Sequence, residues 1–68
     1  MDEEVFNISV RRFLKKLGVT AQRDIELGLR QQLDAGELVG EGTLPARATV
    51  TVEGLPQEIV ITGEIQLS

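Results

Sequence analysis

Apolar side chains recur at helical spacing between Glu3 and Leu17, and basic or polar side chains fill the opposite arc of the same helical wheel. The apolar positions are Phe6, Val10, Phe13, Leu14 and Leu17, and the opposite arc holds Asn7, Arg11, Arg12, Lys15 and Lys16. Asp2 is a residue type that caps helix N-termini, and Gly18 is the type that commonly ends them. The pattern therefore predicts a first amphipathic helix over about residues 3–17.

A second stripe follows at successive steps of four residues, which again is typical of a helix. Its members are Ala21, Ile25, Leu29 and Leu33. Thr20 is a suitable N-cap, and Gly36 predicts an end near Ala35, so the second helix covers about residues 20–35. Gly28 costs roughly 1 kcal/mol relative to alanine inside a helix. Either the first helix crosses closely at Gly28, or the glycine is a tolerated defect.

Residues 36–45, GELVGEGTLP, are rich in glycine and contain a proline, which predicts a connection. A short third strand near residues 37–40 is the alternative within it. Afterwards the period changes from helical to alternating, which predicts strands over about 46–53 and 58–67. Pairing Val52 with Ile59 brings the apolar residues of both strands to one face. Pro56 favours a loop of about four residues over a two-residue turn.

These elements predict an α+β fold of order α-α-β-β, in which two N-terminal helices pack on one face of a small antiparallel sheet. With 68 residues the chain is a single domain, 1–68, near the lower size limit for a self-sufficient core.

Composition constrains the possible chemistry of the chain more than it constrains the fold. The chain has no histidine, cysteine, tryptophan or tyrosine, so most groups used for proton transfer or nucleophilic attack are missing. Glu37 and Glu41 lack the spacing of a calcium loop. We therefore expect no enzyme, no cofactor and no metal. The acidic start MDEE and the lack of a long apolar run predict a cytoplasmic protein without a membrane interaction.

Charge is distributed unevenly along a chain of net charge −4. Residues 11–30 hold six basic and two acidic side chains, whereas residues 35–68 hold Arg47 against five glutamates. This uneven distribution of charge is compatible with a solvated basic face. It is also compatible with a helix-turn-helix that binds nucleic acid, with the hairpin as a wing. The acidic total and the lack of exposed aromatic residues favour the solvated face. The candidate polar contacts are Arg11, Arg12, Lys15, Lys16, Gln22, Arg23 and Arg30.

Leu27, Leu38 and Leu55 fall outside the predicted core, and if they cluster they form an apolar surface for a protein partner or a second copy. Singly exposed leucines are also normal. The leading interpretation is a non-catalytic interaction or accessory module with an unknown protein partner, and a homodimer is compatible with it. Nucleic-acid association is the alternative.

The chain resembles a family of small uncharacterised bacterial proteins, a domain-of-unknown-function family. Its segment of the form FN, S, R, FLKK, GVT, QR, IE is present here from Phe6-Asn7 to Ile25-Glu26. A later segment containing EGL and GEI is matched by Glu53 to Leu55 and Gly63 to Ile65. The resemblance implies a free-standing small bacterial protein and brings no activity, cofactor or functional residue.

Overall fold

A computed structural model describes all residues from Met1 to Ser68. The elements are one helix, α1 (Glu3–Asp34), and two strands, β1 (Thr43–Val50) and β2 (Ile59–Gln66). The chain divides into two compact units, Met1–Leu38 and Val39–Ser68, so that the first contains the helix and the second contains the hairpin.

The helix is continuous through Gly18, so the prediction of two helices packed on a sheet is wrong. Gly18 does not adopt the left-handed conformation that ends helices, since only Gly36, Gly42 and Gly54 have positive φ. The physical reason is a comparison of costs. A glycine inside a helix costs about 1 kcal/mol relative to alanine. A break would instead leave about four N–H and four C=O groups without helical partners on its two sides.

Both ends of α1 are defined by specific backbone chemistry. The Asp2 carboxylate accepts hydrogen bonds from the backbone N–H groups of Glu4 at 3.0 Å and Val5 at 3.1 Å, which confirms the predicted N-cap. At the other end Gly36 has φ +74°, and its N–H donates to the Leu33 carbonyl at 3.1 Å. The next N–H, of Glu37, donates to the Gln32 carbonyl at 2.9 Å. This pair of bonds is the Schellman motif, and it confirms the predicted end beside Ala35.

The hairpin is antiparallel, as predicted, but its register differs from the predicted one by two residues. Val50 pairs with Ile59, and Ala46 pairs with Gly63. Because side chains alternate with a period of two, a shift of two residues leaves the apolar sets of both strands on one shared face. The sheet has two strands only, so no third strand forms at residues 37–40.

A turn at Val52–Leu55 explains the register. The Leu55 N–H donates to the Val52 carbonyl at 3.0 Å, and Gly54 has φ +101°, as the third position of a type II turn requires. Val52 therefore begins the turn and cannot pair with Ile59. At the open end, the Leu67 N–H donates to the Gly42 carbonyl at 2.8 Å, and the Gly42 N–H donates to Ser68 Oγ at 3.0 Å.

No residue of the chain is buried, so the core expected from the apolar patterns is absent. Ile61, which the alternation places on the core face, is 61% exposed. The glycines also lack close neighbours: a Cβ added at Gly18, Gly28 or Gly63 would meet no atom within 4 Å. The idea that a helix crosses closely at Gly28 is therefore wrong, and Gly28 is a tolerated helix defect.

Replacing Gly28 with alanine should stabilise the helix by about 1 kcal/mol, because the new Cβ meets open space and alanine favours helical backbone. The matched change Gly36→Ala should destabilise the chain by roughly 1–2 kcal/mol, since Gly36 has φ +74° and a left-handed residue with a Cβ is strained. Thermal melting followed by far-ultraviolet circular dichroism measures both. Shifts of the same sign would contradict the assigned helix end.

Replacing Asp2 with alanine should lower the stability of α1 by about 1 kcal/mol, because two N–H groups of the first turn lose their acceptor. The control Asp2→Asn keeps an acceptor oxygen at the same position. Its melting temperature should stay near that of the wild type, and equal losses in both variants would show that the cap does not act through this oxygen.

Candidate interaction surfaces on the helix

The first candidate surface is an apolar stripe along α1, made of Phe6, Val10, Phe13, Leu14, Leu17, Ala21 and Ile25. At about 100° per residue these side chains fall within an arc of about 120°. The six larger ones remain 38% to 51% exposed, with Leu17 the least and Leu14 the most accessible. Seven of the nine helical residues that predict a core in the sequence therefore lie on one apolar stripe. The other two, Leu29 and Leu33, lie off the stripe and are half-buried.

Burial of the apolar stripe would contribute several kcal/mol of free energy, roughly in proportion to the apolar area covered. Full burial of a leucine, valine, isoleucine or phenylalanine side chain contributes about 1.5–3 kcal/mol. Covering the exposed halves of the six large side chains would therefore contribute roughly 1 kcal/mol each, or about 6 kcal/mol per helix. Most helical stability in proteins comes from packing such a face, not from intrinsic propensity. A partner on the apolar stripe would thus stabilise the helix as well as bind it.

The second candidate surface is a basic face on the side of α1 opposite the stripe, made of Arg12, Lys16, Arg23 and Arg30. These four side chains lie within an arc of about 40°, and the first and last are about 27 Å apart along the axis. The sequence pattern predicts Arg12 and Lys16 on one helix and Arg23 and Arg30 on another. Continuity through Gly18 brings all four onto one line.

The remaining polar candidates lie beside these surfaces. Arg11 borders the apolar stripe, Lys15 lies between the stripe and the basic face, and both are exposed. Gln22 donates from Nε2 to the Glu26 carboxylate at 3.0 Å, which positions both side chains one turn apart.

A shallow surface depression on α1 brings together four of the predicted residues, Gln22, Arg23, Leu27 and Arg30, with two that were not predicted from the sequence. The two additions are Val19 and Glu26. Val19 lies three residues before Gln22 and seven before Glu26, and Glu26 lies four before Arg30. These spacings place the side chains on one helix face only if the helix continues through Thr20.

Leu27 and Leu55 belong to different units of the chain. Leu27 lies on α1 away from the apolar stripe and is 56% exposed, whereas Leu55 ends the hairpin turn and is 50% exposed. The structure thus places Leu27 among polar neighbours on the helix. It also provides no second helix, so the helix-turn-helix geometry predicted as an alternative is wrong.

The structure contains no grouping of three or more acidic side chains arranged to hold a metal ion. The helix is also not apolar enough over a sufficient length to cross a bilayer.

Comparison with known proteins gives one result. The model of a family of unknown function, DUF6494, matches residues 1–68, which confirms the expected membership in a domain-of-unknown-function family. No curated protein and no solved structure matches the chain.

Proposed function

The chain belongs to this family of unknown function over residues 1–68, and we propose from its own surfaces that it is a non-catalytic interaction module. It binds a protein partner through the apolar stripe of α1. The observation that carries the proposal is that six large apolar side chains on one face of one helix are each 38% to 51% exposed. An amphipathic helix is the common form in which one protein presents an apolar surface to another.

Composition supports the non-catalytic part of the proposal. A general base near neutral pH is most often histidine, and a covalent nucleophile is often cysteine, and the chain has neither. The absence of cysteine also suits a reducing compartment, so we assign the protein to the cytosol.

A photo-cross-linking residue at position 14 tests the partner surface directly in cells that produce the protein. Because Leu14 is on the apolar stripe and is 51% exposed, it should form a discrete protein adduct on illumination. The matched control is position 27, also a leucine on α1 and 56% exposed, but away from the stripe. Gel mobility and mass spectrometry identify the adduct, and position 27 should give none.

The outcomes of this experiment separate cleanly. An adduct from position 14 alone supports the stripe as the binding surface, whether the captured protein is another chain or a second copy of this one. Equal adducts from both positions, or none from position 14, would contradict the proposal.

The basic face supports nucleic-acid binding as a second candidate function, by a single helix instead of a helix-turn-helix. The specific observation is the alignment of Arg12, Lys16, Arg23 and Arg30 along about 27 Å of one helix face. Lysine and arginine supply affinity by neutralising phosphates. The net charge of −4 and the carboxylate of Glu26 within the same depression weaken this candidate relative to the first.

Titration of labelled duplex and single-stranded nucleic acids at several salt concentrations tests this candidate. If the basic face binds phosphates, Arg23→Ala combined with Arg30→Ala should reduce the slope of log affinity against log salt by about 2. The control is Arg47→Ala, which removes the only basic residue of the hairpin. Binding that is absent in the wild type, or equally sensitive to Arg47, would contradict a role for the helix face.

A further inference from the structure

One hydrogen bond at the open end of the hairpin determines which backbone groups face outward. The Leu67 N–H donates to the Gly42 carbonyl, and this pair continues the register in which Thr43 pairs with Gln66. In an antiparallel ladder every second pair exchanges backbone hydrogen bonds, and the pairs between them direct their N–H and C=O groups away from the partner strand. The outward-directed residues are therefore Thr43, Pro45, Arg47 and Thr49 of β1, and Val60, Thr62, Glu64 and Gln66 of β2.

The two edges of the sheet differ in their hydrogen-bond donors. Pro45 has no N–H and lies at an outward-directed position of β1, so a strand added at that edge would lose a ladder bond. The β2 edge contains no proline, and each of its outward-directed residues keeps one donor and one acceptor. Because the sheet has two strands only, no strand of the chain pairs with these groups. The β2 edge is therefore the one open to an added strand.

The side chains of the hairpin are sorted by face. Residues of a cross-strand pair point to the same face, and successive residues alternate between faces. One face consequently holds only apolar residues and a glycine, namely Leu44, Ala46, Ala48, Val50, Ile59, Ile61, Gly63 and Ile65. The outward-directed residues carry their side chains on the other face, which is mainly polar. A strand added at the β2 edge extends the apolar face only if its own apolar residues alternate in the same phase.

We infer that the strand added at the β2 edge is β2 of a second copy of this chain, antiparallel to the first, with the twofold axis at Gly63. Val60 then pairs with Gln66 of the second copy, and Thr62 pairs with Glu64 of the second copy. All outward-directed residues of β2 thus form hydrogen-bonded pairs, and the apolar faces of both copies lie on the same side. The interface uses the hairpin and not the apolar stripe of α1, so its test does not depend on the proposed function.

The neighbouring registers are less favourable. A slide of two residues in one direction would place Glu64 opposite Glu64 of the second copy, and like charges directly opposite destabilise a sheet. A slide of two residues in the other direction would place Gln66 opposite Glu58, which lies outside β2. A slide of one residue would bring the apolar face of one copy beside the polar face of the other.

The proline on the other edge favours a closed pair of identical chains. When β2 pairs with β2 of a second copy, the result is a four-stranded sheet whose two outer edges are both β1, each carrying Pro45. Pairing of β2 with β1 of another copy would instead be head-to-tail, would leave an open β2 edge after every addition, and would meet Pro45. Sheets of three or more strands with an apolar face are stable where an isolated hairpin is marginal. A second copy of β2 therefore completes the sheet and ends its growth.

Sedimentation equilibrium over a concentration series, with the purified full chain, measures this self-association. The wild type should form a dimer. Thr62→Pro removes an outward-directed N–H from each copy and should raise the dissociation constant at least about tenfold. The matched control is Arg47→Pro, because Arg47 pairs with Thr62 across the hairpin and faces the other edge, so its dissociation constant should stay at the wild-type value. A wild type that is monomeric at all concentrations, or equal effects of the two prolines, would overturn the inference.

Cysteine cross-linking tests the register without a proline in either strand. The chain contains no cysteine, so any disulfide formed with diamide as the oxidant comes from an introduced residue. Gly63 accepts a side chain, because its φ is not positive and an added Cβ meets no atom within 4 Å. At the twofold axis the two Cα atoms of residue 63 would be about 4.5 Å apart, which lies in the range that a disulfide spans. Gly63→Cys should therefore form a disulfide-linked dimer.

The control for cross-linking is Ala46→Cys, because Ala46 pairs with Gly63 in the hairpin and shares its face. In the four-stranded sheet the two copies of residue 46 would be three strand spacings apart, about 14 Å, which no disulfide bridges. This variant should remain uncross-linked on a non-reducing gel. Equal cross-linking at both positions, or none at position 63, would overturn the inference. A wild-type dimer without a cross-link at position 63 would be held by another surface, and the proposed role of the apolar stripe would be unaffected.

Discussion

The backbone hydrogen-bond ladder that runs through Gly18 determines which surfaces the chain presents. A helix keeps one angular phase, about 100° per residue, for as long as the ladder is unbroken. Two apolar runs that would otherwise belong to separate elements therefore share one stripe, and cations from both halves share one face. A break at residue 18 would separate these surfaces. The cost of keeping the ladder is small, about 1 kcal/mol for one interior glycine.

The stability of the helix and of the hairpin also depends on how their apolar faces are covered. A two-stranded hairpin is marginally stable by itself in water, and an amphipathic helix needs a partner for its apolar face. With no residue buried, neither unit of the chain contains a core that would supply this stabilisation internally. Folding and binding are then parts of one equilibrium: whatever covers the stripe adds its binding free energy to the stability of the helix.

Local signals in the sequence were sufficient for the ends of the helix and for the pairing of the strands. Asp2 and Gly36 act through bonds within a few residues, so their roles are readable without the rest of the fold. Gly18 is different, because the same residue type is compatible with a helix end and with a helix interior. The hydrophobic pattern also could not decide the register of the two strands, because a shift of two residues keeps the same side chains on each face of the sheet. The Val52–Leu55 turn selects the observed register. For the candidate surfaces, the individual basic residues were identifiable, but their alignment required the continuous helix.

The local character of both the helix and the hairpin has a consequence for synthesis. Chains emerge from the ribosome from the N-terminus onward, and structures made of contacts close in sequence form quickly. Residues 3–34 are therefore complete, and able to become helical, before either strand has been made. The hydrogen bonds of the helix all lie within this segment, so its formation does not depend on the hairpin.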